Sequence, residues 1–374
     1  MQHKYTEIND DWQLAQTLHS EEKVIRRTAF KGVNLTAETE LSMAHDYVDC
    51  IFLGCTLPSG FKRHIKDSLV FPKMGEAFDV FRSKLYTAQS LYEGYEVGNP
   101  DSYDKCYDAI VYRHYLKEGK QATNIKETLA RSLHDHSISS ALHDLLGHFD
   151  QKRIIGVMGG HNMSRTCAQY EQVARISKKL SELGFIMISG GGPGAMEATH
   201  LGAWMAGRSE DEFTDALSML CTAPNFTDKM WLDTAMQVVE KYPQKDYLSI
   251  GIPTWLYGHE PSTPLAMCIA KYFDNSIRED GILTIASGGI IFTPGSAGTL
   301  QEIFQEAVQN HYLSFGFSSP MCFMGKQFWT EDVPVYPFMQ DMIAKQRYKN
   351  LIISLSDDNE EIVNELLKFR EEKI

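Results

Sequence analysis

From Ile154 onward the chain alternates short, continuous apolar runs with longer stretches in which apolar residues return every three or four positions. The runs span 154–158, 185–189, 247–252, 289–293, 321–324 and 351–355, each the length of a buried strand and each followed by a helical pattern. Strand–helix alternation of this kind predicts an α/β fold with a parallel, doubly wound sheet. A closing helix is expected from Asp358 to about Lys373, with Ile362, Leu366, Leu367 and Phe369 on its apolar side.

The first 150 residues read differently. One strand candidate, Asp49 to Cys55, ends at the turn Leu57-Pro58-Ser59-Gly60. Phe78, Phe81, Leu85, Ala88 and Leu91 then recur at helical spacing, and 103–115 and 125–146 repeat the amphipathic habit. This predicts a mostly helical N-terminal region over 1–150 that covers or regulates a domain over 151–374.

The hydrophobic share of 43% and charged share of 23% are those of an ordinary globular chain. The polar start lacks the apolar run of a signal peptide, and no stretch has eighteen uninterrupted apolar residues, so a cytoplasmic protein without a membrane partner is expected. Seven scattered cysteines without a CxxC suit reduced thiols. A net charge of -13 with no broad Lys/Arg face argues against a nucleic-acid partner. A nucleotide ligand would therefore be small, held by local amides and one or two arginines.

Three glycine-rich turns follow strand candidates: Met158-Gly159-Gly160-His161, Ser189-Gly190-Gly191-Gly192-Pro193-Gly194-Ala195-Met196, and Pro294-Gly295-Ser296-Ala297-Gly298-Thr299. In parallel sheets such turns lie at the carboxyl ends of strands, where free N–H groups of the next helix face outward. Glycine tolerates unusual backbone angles there and lets an anion approach closely. Tight turns alone would explain one such segment; three in succession point to an anion site. The pattern is neither the spaced GxGxxG of dinucleotide folds nor a triphosphate loop, which disfavours NAD and ATP.

The segments 189–198 and 294–302 resemble the two signatures of the LOG family, which includes cytokinin-activating phosphoribohydrolases and nucleotide 5′-monophosphate nucleosidases once mislabelled lysine decarboxylases. The resemblance covers about 150–330, with both motifs in the same order and separation. It implies a Rossmann-like domain that hydrolyses the N-glycosidic bond of a nucleoside monophosphate, a homodimer or larger assembly, and no cofactor or metal. Where the family usually has Pro-Gly-Gly, this chain has Ser296, whose hydroxyl adds a donor.

The resemblance assigns catalysis to Glu302 and Arg278. A carboxylate near the sugar can stabilise oxocarbenium charge or orient water, although Thr299-Leu300-Gln301-Glu302 also reads as a capping box. Arg278 could fork onto phosphate or ribose, or merely pair with Glu279 or Asp280. Gly159, Gly160, Gly190, Gly191, Gly192, Gly194, Met196, Asn275, Gly295, Ser296, Gly298 and Thr299 complete the expected substrate site. Trp255 and Tyr257, following the strand that ends at Ile252, are the best candidates among the aromatics to face the base. The histidines at 134, 136, 143 and 148 match no standard metal-ligand spacing, and no pyridoxal-phosphate signature supports decarboxylation. A non-catalytic nucleotide sensor using the same pocket is the alternative from another class.

Overall fold

A computed structural model of the chain describes residues 5–371. Within it the chain divides into two compact units: one runs to Leu85 and includes Arg113–Asp144, the other comprises Tyr86–Tyr112 and everything from Leu145.

The first unit opens with β1 (Thr6–Ile8), α1 (Asp11–Leu18), β2 (Val24–Arg26), β3 (Thr28–Lys31), α2 (Thr39–Met43), β4 (Asp46–Val48), β5 (Ile51–Leu53), β6 (Ile65–Lys66) and β7 (Leu69–Phe71). Its strands form two parallel sheets, β1-β3-β5-β7 and β2-β4-β6. Arg27, Asp49 and Asp67 turn the chain from one sheet to the other with φ of 49°, 55° and 50°, so successive strand pairs stack like turns of a coil. Ile25, Phe30, Tyr47, Phe52 and Phe61 fill its interior together with Leu14 and Leu18 of α1, and the Phe30 and Phe52 rings stack at 4.9 Å.

This corrects the expectation of a mostly helical N-terminal part. Strands of two to four residues are too short to show an alternating pattern, and their apolar neighbours come from the next turn of the coil rather than from i+2. The predicted 49–55 strand is β5. Phe78 and Phe81 are buried, but on irregular chain; regular helix begins only at α3 (Ala88–Leu91). The long helical patterns do form, as α4 (Tyr107–Glu118) and α5 (Ile125–Leu146).

The second unit is the α/β fold. Its strands are β8 (Ile154–Met158), β9 (Ile186–Ser189), β10 (Ser249–Gly251), β11 (Cys268–Ile269), β12 (Gly289–Phe292), β13 (Pro320–Phe323) and β14 (Ile352–Leu355), all parallel, in the order β11-β10-β9-β8-β12-β13-β14. The intervening helices are α6 (Ala168–Glu182), α7 (Ala195–Trp204), α8 (Glu210–Cys221), α9 (Trp231–Lys241), α10 (Asn275–Ile285), α11 (Ala297–Tyr312), α12 (Val335–Ala344) and α13 (Asn359–Glu371). The closing helix is thus seen to Glu371; Lys373 lies outside the described residues. The chain moves outward from β8 through β9 to β11, then returns to β8's other side as β12. Strand order reverses between β8 and β12, and ligands of doubly wound sheets lodge at that crevice.

Two features lock the helices that end there. A Cβ at Gly202 of α7 would lie 2.1 Å from the Ala174 carbonyl oxygen, so only glycine lets α7 press against α6. Arg165 binds Glu197 of α7 through two nitrogens, at 2.8 and 2.5 Å, and also bonds the Trp231 carbonyl and the Thr234 hydroxyl. Both charges are fully buried, so the mutual pairing is what makes their burial tolerable. No helix among the described residues is long and apolar enough to cross a membrane.

Candidate active site at the β8–β12 crevice

The three glycine-rich turns meet at the carboxyl ends of β8, β9 and β12. The main chain laces them together: Gly160 N–H donates to the Pro294 carbonyl at 3.1 Å, and Ala195 N–H donates to the Gly160 carbonyl at 3.2 Å. Gly194, which caps α7, has φ of +71°, and a Cβ there would sit 2.3 Å from the Gly160 oxygen. Gly159 is as constrained, since its Cβ would overlap the Thr293 hydroxyl at 1.8 Å. These glycines are required by the packing of one turn against another. Gly298 is different: a Cβ there meets nothing within 4 Å, because that position faces open space.

A cavity of about 270 Å³ opens over the turns, lined by Gly159, Gly160, Gly190, Gly192, Met196, Arg278, Ser296, Gly298, Thr299 and Glu302, with the expected Tyr257, and with Glu260 and Glu279 added by the tertiary structure. Of the residues expected from sequence, Gly191, Gly194, Gly295 and Asn275 do not line it. Gly191, with φ of +71°, packs toward Gly251 and Pro253. Gly295 lies beneath Thr299 and lines a neighbouring chamber with Met163, Cys167 and Phe328. Asn275 acts behind the wall: its Oδ1 accepts from Arg278 Nε at 3.0 Å, and its amide donates to Glu279 at 2.6 Å.

Arg278 sits on the first turns of α10, whose N-cap Asp274 accepts from Ser276 N–H. Its guanidinium also donates to Glu279 at 3.1 Å. The ion pair suggested by the sequence therefore forms, yet it leaves Arg278 in the cavity wall, with Nη1 3.2 Å from where a Gly190 Cβ would stand. Gln301 of α11 donates to the other Glu279 oxygen at 3.1 Å, so the carboxylate that pairs with the arginine is itself held in place.

Glu302 lies in the second turn of α11. The helix is capped at Ser296 rather than Thr299, and Ser296 makes no side-chain cap bond. The capping box read from Thr299 and Glu302 does not exist, because Thr299 is already the third helical residue. The first N–H groups of α11, at Ala297, Gly298 and Thr299, keep the orphan donors of a helix start beside the cavity. Burial pushes the Glu302 carboxyl up to about 7, against the lowering pull of Arg278 and with a further rise from Glu279. The removal of water around the carboxylate outweighs the nearby positive charge.

Glu260 was not apparent from the sequence. It follows the short helical turn after β10, and its Oε1 lies 3.9 Å from His161 Nε2 and 3.8 Å from His259 Nε2, beyond hydrogen-bond reach. Nothing in its local sequence marks it, since the fold of 253–263 alone aims it inward. Tyr257 does line the cavity, but Trp255 does not. Trp255 is fully buried, stacked on Phe273 at 4.5 Å, with its indole N–H donating to Asp108 at 3.1 Å. That tryptophan anchors the loop from below.

Similar chains exist among solved structures. The Moco carrier protein of Chlamydomonas rheinhardtii shares 16% identity over 59% of this chain and 98% of its own, with a TM-score of 0.36. The molybdenum cofactor binding protein of Rippkaea orientalis shares 15% over 57% and 96%, with a TM-score of 0.34. No family model and no curated protein matches the chain. The Rossmann-like architecture stands on the strand order and the parallel pairings themselves.

Proposed function

We propose that this protein hydrolyses the N-glycosidic bond of nucleoside 5′-monophosphates, releasing free base and ribose 5-phosphate. The observation that carries this reading is the meeting of Glu302, Arg278 and the first turn of α11 in the wall of one small cavity. The resemblance of the 189–198 and 294–302 turns to the LOG family supports the same substrate class.

In this reading the 5′-phosphate rests against the first amides of α11 and the Gly190–Gly192 turn, where N–H groups and Arg278 offset its charge. Hydrolysis breaks the C1′–N bond; the electron pair leaves with the base, water supplies the hydroxyl at C1′, and the proton that water loses ends on the base nitrogen that held the sugar. Glu302, in its ionised form, faces the positive charge that grows on the sugar and takes the proton from the attacking water. A carboxyl near pH 7 suits that task, being ionised in a useful fraction yet basic enough to accept a proton.

The test is to incubate the purified chain separately with AMP, GMP, IMP, CMP and UMP and to follow free base by chromatography. Base release from at least one is expected, rising with pH through about 7, abolished in Glu302→Gln and lost when the phosphate is absent. Tight binding without turnover would make the protein a nucleotide sensor, and undiminished release from Glu302→Gln would remove the carboxylate from the mechanism.

A further inference from the structure

The first unit gathers three metal-ligating side chains from separate parts of its chain: Glu76 on the irregular segment after β7, His114 on α4 and Glu127 in the first turn of α5. One ligand atom from each lies within 4.8 Å of the other two. His114 Nε2 is 3.0 Å from one Glu127 oxygen, Oε2, and 3.9 Å from Oε2 of Glu76. The two carboxylates are well sheltered, with side chains 11% and 3% exposed.

The outer oxygens explain why the inner ones converge. Lys126 Nζ holds Oε1 of Glu76 at 2.9 Å, and Arg131 Nε holds Oε1 of Glu127 at 2.7 Å. Each carboxylate is thereby turned so that Oε2 faces the same imidazole nitrogen. Support of ligating carboxylates by hydrogen bonds to their outer oxygens is how metal sites are oriented. An ion-pair network alone accounts for only part of this geometry. A single Nε2–H can serve Glu127 at 3.0 Å, but at 3.9 Å it does not reach Glu76. One cation among the three atoms would satisfy all of them. Glu76 also lines a cavity of about 480 Å³, so the cluster borders open space on its Glu76 side.

We propose that Glu76, His114 and Glu127 form a three-ligand site for a divalent transition metal, with water in the remaining positions. One imidazole nitrogen and two carboxylate oxygens suit zinc or manganese, and the absence of thiolate from the set disfavours copper(I). The site belongs to the first unit and is independent of the crevice chemistry.

The experiment uses the full chain, stripped with chelator, titrated with ZnCl2 and with MnCl2 by calorimetry and followed by thermal unfolding. One equivalent is expected to bind with a rise in unfolding temperature, and His114→Ala is expected to weaken it at least tenfold. Lys126→Ala gives an arm that does not depend on His114: its ammonium is more than half exposed, so the fold should tolerate its loss. Because Lys126 turns the Glu76 carboxylate toward the site, its loss should weaken metal binding several-fold without unfolding the chain. No binding by the parent chain, unchanged affinity in a folded His114→Ala, or unchanged or tighter affinity in a folded Lys126→Ala would each overturn the site in favour of a plain ion-pair network.

Discussion

Replacing Glu302 by glutamine should stabilise the protein above neutral pH while removing its proposed activity. Burial raises the Glu302 carboxyl from 4.5 to about 7, so the folded state holds this proton more tightly than the unfolded chain does. The sign follows from linkage: the proton's contribution to stability is fully present below pH 4.5 and is lost as pH rises through about 7. A rise of this size corresponds to about 3 kcal/mol at most, taking ~1.4 kcal/mol per unit, and less where the cavity admits water to the carboxylate. Glutamine keeps the shape and never ionises, so it escapes that cost. The assay is thermal unfolding of both proteins from pH 4.5 to pH 8.5. The variant should melt several degrees higher at pH 8.5, with the difference shrinking to about nothing at pH 4.5. Glu306, also pushed up to about 7 by burial, is common to both proteins and cancels in the difference. Equal stability at pH 8.5, or a gain that does not vary with pH, would show that Glu302 is as well hydrated in the folded state as in the unfolded one.

The other predictions concern the turns and the helix behind them. Gly194→Ala forces a Cβ to within 2.3 Å of the Gly160 oxygen at a φ of +71°; it should cost about 2–3 kcal/mol in a denaturant titration. Gly298→Ala, whose Cβ meets nothing, should leave stability within ~0.5 kcal/mol yet weaken nucleotide binding, measured by calorimetry with AMP, because the methyl enters the cleft. His200 on α7 is fully buried, neither ring nitrogen has a hydrogen-bond partner among the described residues, and burial holds its titration down to about 3. The folded state therefore resists the proton that the unfolded chain takes up below about 6.5, and stability should fall by up to ~1.4 kcal/mol per pH unit on acidification. His200→Leu should flatten that slope between pH 6.5 and 4.5 in urea titrations, and an unchanged slope would place the acid sensitivity elsewhere.

The strands of the second unit were legible because most are short apolar runs, buried in the sheet interior though not at the edge strand β14, and six of the seven fall within the runs read from the sequence or a residue beyond them. β11, only Cys268–Ile269, was missed because two residues carry no period. The glycine turns were legible too, as clusters after strands. The coil of the first unit was not, since its order comes from stacking one turn on the next, an interaction between residues about twenty positions apart. The Trp255 side chain was misplaced for a related reason: sequence position puts it at the ligand edge, but the Phe273 ring and the Asp108 carboxylate draw it into the core.

By itself, then, the sequence determined the parallel α/β class, the helix at 125–146, a second helix read as 103–115 that forms a few residues later at Tyr107–Glu118, and the residue types available at the strand ends. These follow from local periodicity and from backbone angles that only particular residues adopt. Tertiary structure alone decided that turns more than a hundred residues apart share one cavity, that Ser296 rather than Thr299 begins α11, and that Glu260 faces inward. It also set the Glu302 proton near neutrality. A carboxyl's affinity for its proton depends on the water excluded and the charges gathered around it, and both are properties of the packed chain.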